Sequence, residues 1–118
     1  MSTTEPSIFS RIIAREIPAT IVGETDRLIA INDIAPKAPV HMLVIPKTGE
    51  FANVAELAAG DPALLAEVIA FAQQLADPHG GQFRLIFNTG GRAGQTVFHV
   101  HAHVLIGDLG EDPHAENE

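Results

Sequence analysis

The sequence predicts an α+β fold, a five-stranded and mostly antiparallel sheet with two helices. Two observations carry that expectation. The elements read in the order helix, three strands, helix, two strands, and the links between strands are too short for repeated crossover helices. Residues 7–16 (SIFSRIIARE) form a short amphipathic helix, with Ser7 as N-cap and Ile8, Ile12 and Ile13 on one stripe, ended by Pro18. Strands follow at 20–24 (TIVGE) and 28–32 (LIAIN), joined through Thr25, Asp26 and Arg27 as a tight hairpin. Pro36 and Pro39 make an irregular connection to a third strand at 41–45 (HMLVI), stopped by Pro46. Asp61 before Pro62 is an N-cap and first-turn signature. The helix it opens runs to about Ala76, with Leu64, Leu65, Val68, Ile69, Ala72 and Leu75 on its apolar stripe, and Pro78, Gly80 and Gly81 end it. The last strands are 83–88 (FRLIFN) and 97–106 (VFHVHAHVLI), with the glycine-rich stretch TGGRAGQT between them. Phe51, Phe71, Phe83, Phe87 and Phe98 are expected in the core. A five-stranded sheet with only two helices leaves surface uncovered, which favours a homodimer.

Composition narrows the function. In 118 residues there are 7 Lys plus Arg against 15 Asp plus Glu, a net charge of −8, so the basic face of a nucleic-acid binder is not expected. Five of the acids (Asp108, Glu111, Asp112, Glu116, Glu118) fall in residues 108–118, which read as a solvated tail after a single domain at 1–107. A partner-binding role for that tail is the minor alternative. The absence of cysteine removes disulfides, thiolate metal sites and cysteine nucleophiles, and fits a reducing cytoplasm. No signal peptide and no membrane-spanning helix are expected.

Chemistry concentrates near the end of the domain. His99, His101 and His103 alternate along a predicted strand and share one face, with Phe98, Val100, Ala102, Val104 and Ile106 on the other. A row of imidazoles occupies a face that could have been apolar, and so needs a reason. An exposed edge that happens to carry histidines is one reading, and a zinc site is a second. The third is nucleophilic catalysis by a neutral imidazole oriented by its neighbours. The preceding loop, Asn88 to Thr96, favours the third: its glycines let backbone N–H groups approach a phosphate, and Asn88, Gln95 and Thr96 add side-chain contacts. His79, at a helix end, and His114, in the tail, have plainer readings as a favourable C-terminal charge and a solvated side chain.

The run His99-Val-His-Ala-His-Val-Leu105 resembles the His-φ-His-φ-His-φ-φ signature of the histidine triad superfamily, φ being apolar. SIFSRIIAREIPA (7–19), INDIAPKAPVHMLVIPK (31–47) and GQTVFHVHAHVL (94–105) look like its Hint branch of nucleoside phosphoramidate hydrolases and nucleotide-binding proteins. The resemblance implies a HIT-like fold whose two protomers pair into one ten-stranded sheet. It implies that His101 is the nucleophile, that His99 and His103 orient it and assist phosphate contact and leaving-group protonation, and that His41 is a fourth functional histidine placed near His99. It implies a nucleotide site formed by Asp33 on the ribose hydroxyls, Ile34, and Asn88, Gly94, Gln95, Thr96, His101 and His103, with Thr96 also counted among the catalytic groups. Apolar residues of the first helix and second strand, Phe9 and Ile31 among them, would wall the purine pocket.

The sequence departs from that pattern at three places. Ser7 and Ser10 stand where many bacterial relatives carry a zinc-binding Cys-x-x-Cys pair, Thr96 stands where serine is common, and a tryptophan-containing end is missing after Gly107. The expectation is therefore a cytoplasmic, homodimeric hydrolase of adenosine (purine) 5′-phosphoramidates or aminoacyl-adenylates. It would release AMP through a nucleotidyl-histidine and need neither metal nor cofactor. The rivals are a dinucleoside polyphosphate hydrolase, a nucleotidyl transferase, or a purine-nucleotide-binding regulatory module in which turnover is incidental.

Overall fold

A computed structural model describes residues 7–110. Eight elements follow in order: α1 (Ile8–Ile13), β1 (Ile21–Glu24), β2 (Leu28–Asn32), β3 (Val40–Pro46), α2 (Val54–Gly60), α3 (Pro62–Ala76), β4 (Arg84–Ile86) and β5 (Ala102–Ile106). Short 3₁₀ turns stand at Asp77–His79 and Gly91–Ala93. The strands form one antiparallel sheet in the order β1-β2-β3-β5-β4, as the short links predicted. Among the described residues no helix is long and apolar enough to cross a membrane.

The two faces of the sheet bury different cores. Leu28, Ala30, Met42, Val44, Ala102, Val104 and Ile106 pack with Leu57 of α2 and Leu64, Val68, Phe71 and Ala72 of α3. Ile29, Ile31, Leu43 and Ile45 pack with Phe9 and Ile12 of α1. The period-two alternation of the strands decides which residue goes where. Ser7 caps α1 as expected, its hydroxyl accepting the Ser10 N–H at 3.0 Å, and Asp61 caps α3 through the Leu64 N–H at 3.1 Å.

Several expectations need correction. α2 makes a third α-helix; Asn53 caps it by accepting the Glu56 N–H at 2.9 Å, a signal present in the sequence. α1 stops at Ile13, and Arg15 takes a positive φ of 64° before Pro18 is reached. β4 is three residues long rather than six, and β5 begins only at Ala102, so residues 97–101 lie outside the ladder. Phe98, expected in the core, is 59% exposed because that irregular segment does not hold it against the helices. Ile69 is also exposed, at the edge of the α3 stripe, while Phe51, Phe83 and Phe87 are half-buried around the core. His114 and the tail from Glu111 onward lie outside the described residues.

Candidate active site

β5 brings His103 opposite Leu43 of β3, on the α1 side of the sheet. His99 and His101 reach the same side from the irregular segment before the strand. The Phe9 ring stands edge-on to both, with centroids 6.0 Å from His99 and 4.8 Å from His101. The His101 and His103 rings meet edge to face at 5.2 Å. All three imidazoles are buried, which disposes of the exposed-edge reading.

Hydrogen bonds assign a tautomer to each ring. His101 Nδ1 lies 2.9 Å from the carbonyl of His99, so it carries the proton and leaves the lone pair on Nε2. His99 donates from Nε2 to the Pro46 carbonyl at 2.7 Å and accepts at Nδ1 from the Ser7 hydroxyl, also at 2.7 Å. His41 Nδ1 accepts the Lys37 N–H at 3.0 Å, so its proton sits on Nε2, 3.0 Å from His103 Nδ1 and 3.4 Å from Asp33 Oδ2. His103 therefore holds its own proton on Nε2. Burial lowers the pKa of His99. Burial, reinforced by the neighbouring His101 and His41, pushes His103 down to about 4, against a smaller opposing pull from Asp33.

The position of His41 corrects an expectation. It lies beside His103 and Asp33, not beside His99, because β3 pairs with β5 in a register that sets Leu43 across from His103 and His41 two pairs further along, across from Leu105. This bears on metal binding. Asp33, His41 and His103 present ligand atoms within 4.8 Å of one another, yet the Lys37 N–H claims the lone pair on His41 Nδ1, and the proton on Nε2 makes that nitrogen a donor rather than a ligand. A zinc site at the Cys-x-x-Cys positions fits no better. Ser7 and Ser10 supply hydroxyls, both nitrogens of His99 are engaged, and His41 is elsewhere.

An apolar cavity of about 150 Å³ opens beside Phe9, walled by Ile8, Ile12, Ile31, Leu43 and Val97, with Asn32, Asp33, Ile34 and Thr96 on its lining. Ile34 is 95% exposed there, and Thr96 is exposed. Asp33 is buried, and its Oδ1 accepts the Ala35 N–H at 2.7 Å. A larger cavity of about 570 Å³, between the 33–40 connection and the end of α3, has Asp33, His41 and His79 on its lining, and neither cavity is lined by a triad histidine. The smaller one shares Phe9 with His101 and is the better placed for the chemistry.

The glycine-rich loop is held from within. Gly90 and Gly94 take positive φ values of 88° and 97°, which glycine tolerates without strain. The N–H groups of Ala93, Gly94 and Gln95 close bonds inside the loop. The Gln95 amide accepts the Gly90 N–H at 2.8 Å and donates to the carbonyls of Ala52 at 2.6 Å and Val97 at 3.0 Å. Its side chain is thus committed to shaping the loop, where the sequence had suggested phosphate contact. Asn88 is half-buried on the approach to the loop. Sequence reasoning did not find the partners of the rings: Ser7, the Lys37 N–H, and the carbonyls of Pro46 and His99. Only Ser7 carried a signal, and that signal was for a helix cap.

Comparison with known proteins bears on the family and the fold. The family model described as "HIT domain" matches residues 14–109. The chain is 47% identical over 108 residues to an uncharacterized HIT-like protein of Synechocystis, covering 87% of this chain and 91% of that one. It is 41% identical over 106 residues to the purine nucleoside phosphoramidase of Escherichia coli (strain K12), covering 87% and 88%. Among solved structures, a HIT family hydrolase from Clostridium thermocellum superposes with a TM-score of 0.85 at 46% identity, over 93% of this chain and 98% of that one. A histidine triad protein from Clostridium difficile superposes with a TM-score of 0.83 at 33% identity, over 95% and 98%.

Proposed function

The chain belongs to the HIT domain family, and from that premise we propose that it is a hydrolase of purine nucleoside 5′-phosphoramidates or aminoacyl-adenylates, acting through a nucleotidyl group carried on His101. The observation that carries the reading is the 2.9 Å bond from His101 Nδ1–H to the His99 carbonyl, which leaves the Nε2 lone pair to attack phosphorus. The purine lies in the apolar cavity beside Phe9, its ribose hydroxyls on Asp33 and its sugar and base against Ile34. Thr96, on the rim of the same cavity, donates to a phosphoryl oxygen, as does His103 from Nε2. Asn88 and the loop ending at Gly94 and Gln95 flank the phosphate.

The step balances without a metal. His101 Nε2 bonds to the α-phosphorus and the bond from phosphorus to the leaving group breaks: a phosphoramidate releases its amine with a proton delivered by water, and an aminoacyl-adenylate releases its carboxylate through cleavage of the P–O bond. A second water attacks phosphorus, the nitrogen–phosphorus bond to His101 breaks, and AMP leaves. The pocket supports purine recognition through apolar walls, and the 41% identity to a purine nucleoside phosphoramidase favours this substrate class over dinucleoside polyphosphates.

Rapid quench with an adenosine phosphoramidate should trap a base-stable, acid-labile adenylyl adduct on His101. His101→Gly should bind AMP and lose nearly all turnover. An adduct on His99, His103 or His41 overturns the role assignment. Near wild-type hydrolysis by His101→Gly overturns covalent catalysis at the triad, and turnover that is marginal in both proteins favours a binding module.

A further inference from the structure

We infer that Ser7 is a positioning residue for the nucleophile, acting through His99. The first turn of α1 and the triad are joined by one hydroxyl. Ser7 Oγ accepts the Ser10 N–H at 3.0 Å, which caps the helix, and stands 2.7 Å from His99 Nδ1, across 92 positions of sequence. Since His99 Nε2 donates to the Pro46 carbonyl at 2.7 Å, its Nδ1 carries the lone pair and the Ser7 hydroxyl is the donor. The Ser10 hydroxyl lies farther from Nδ1, at 3.4 Å, and is the weaker candidate for that bond.

His99 is thereby clasped at three points. One ring nitrogen holds the start of α1, the other holds the end of β3, and its carbonyl receives the His101 Nδ1–H at 2.9 Å. A ring engaged at both nitrogens has no proton to exchange with substrate. Its office is to fix the carbonyl on which His101 turns. With the Ser7 donor removed, the lone pair of a buried imidazole is left with only the longer contact to the Ser10 hydroxyl at 3.4 Å, and the ring can regain a short bond only by shifting or by taking the other tautomer. Either change breaks its bond to Pro46 or moves the carbonyl that aims His101 Nε2. The same six-residue helix carries Phe9, whose ring packs on both His99 and His101. Docking of α1 and aim of the nucleophile are therefore one event. The inference rests on His101 as nucleophile for its kinetic consequence, but not for its spectroscopic one.

Three variants separate donation from helix capping. Ser7→Ala removes both the cap and the donor. Ser7→Thr restores both. Ser7→Asp restores the cap with a better acceptor but has no hydroxyl proton to give His99. With ¹⁵N-labelled histidine, the wild-type protein and Ser7→Thr should show His99 as the Nε2–H tautomer with Nδ1 accepting a hydrogen bond. Ser7→Ala and Ser7→Asp should both lose that signature. Turnover of an adenosine phosphoramidate should fall roughly tenfold in kcat for Ala and Asp, with AMP affinity within about twofold of wild type, and recover in Thr. Recovery of kcat and tautomer by Ser7→Asp would overturn the inference, showing that only the helix cap matters. So would an unchanged tautomer in Ser7→Ala, or a loss confined to KM. A shifted tautomer in a protein whose adduct maps away from His101 would leave the Ser7 clasp standing and overturn the nucleophile assignment instead.

Discussion

His41 Nε2 stands 3.0 Å from His103 Nδ1 inside the protein, two imidazoles joined by a single proton that the Lys37 N–H confines to the His41 side. Neither ring can become charged there without disturbing the other. His103 stays neutral down to about pH 4, by burial first and by its imidazole neighbours second.

Stability should therefore fall as acid is added. His99 and His103 both have folded-state pKa values below the ordinary 6.5. Below pH 6.5 the unfolded chain takes up protons that the folded chain refuses, so protonation favours unfolding. The stabilising contribution is complete above 6.5 and is lost progressively between 6.5 and the folded values. Each histidine adds a slope of up to about 1.4 kcal/mol per pH unit in that window. Urea denaturation at several pH values between 7.5 and 4.5 measures it. A His103→Gln variant should have a shallower slope, and equal slopes in the two proteins would refute the account.

Gln95 should matter to stability before it matters to substrate. Its amide makes three hydrogen bonds that tie Gly90, Ala52 and Val97 together. Gln95→Ala leaves these groups unpaired and should cost about 2–3 kcal/mol, on the scale of a few modest bonds and unsatisfied groups. Gln95→Glu keeps the acceptor for the Gly90 N–H but turns a buried carboxylate oxygen toward the Ala52 and Val97 carbonyls, so it should cost at least as much as Gln95→Ala. Retention of full stability in Gln95→Ala would return Gln95 to direct phosphate contact.

Asp33 is a harder residue to test, because its Oδ1 already accepts the Ala35 N–H and its Oδ2 faces His41. Asn is the better replacement than Ala, since it keeps a carbonyl oxygen in the same place and removes the charge. Asp33→Asn should weaken AMP binding by about 1.5–3 kcal/mol, the range for hydrogen bonds to a charged group. Binding of a 2′,3′-dideoxy analogue should weaken much less. Calorimetry with both ligands decides it, and equal losses would reduce Asp33 to a turn residue.

Assembly is the fourth expectation. Among the described residues β4 has a single neighbour, β5, and leaves an edge three residues long; Phe83, Leu85 and Phe87 around it are only half-buried. A C2 homodimer that joins two such edges would cover them and continue the sheet. Light scattering at micromolar concentration should return twice the chain mass, and a monomer mass would sink the idea.

Local signals are legible in the sequence, and contacts between distant segments are not. Ser7 and Asp61 announced helix starts through hydrogen bonds that close within three residues. The alternation from Val100 to Ile106 placed apolar side chains on the α3 side and histidines on the α1 side, since strand periodicity is intrinsic to the backbone. Register is not intrinsic. Whether His41 meets His99 or His103 depends on how β3 slides against β5, some 60 residues later, and no local feature of either strand states it. Gln95 was legible as a polar residue in a phosphate-type loop, but its partner at Ala52 belongs to a segment whose helix, α2, was overlooked. Phe98 would face the core only if the strand ran back through residues 97–101, and those residues are not strand.

The late start of β5 has a consequence for the catalytic apparatus. In a regular ladder the carbonyl of His99 would be committed to a neighbouring strand, and the His101 ring would have no acceptor on its own chain. Pairing with β3 ends at Val44 and Ala102, and two residues further along β3 stands Pro46, which has no N–H to prolong it. Its carbonyl is turned instead to the His99 ring. The orientation of the His101 ring thus follows from arrested pairing: the ladder supplies rigidity down to Ala102, and before it the buried chain is held by other bonds, among them Val100 N–H to the Phe51 carbonyl at 3.0 Å. If His101 is the nucleophile, a variant that zipped the two strands together by another pair would gain ordinary backbone bonds and lose the acceptor that orients its ring, so a tighter sheet and an aimed imidazole oppose each other at this one junction.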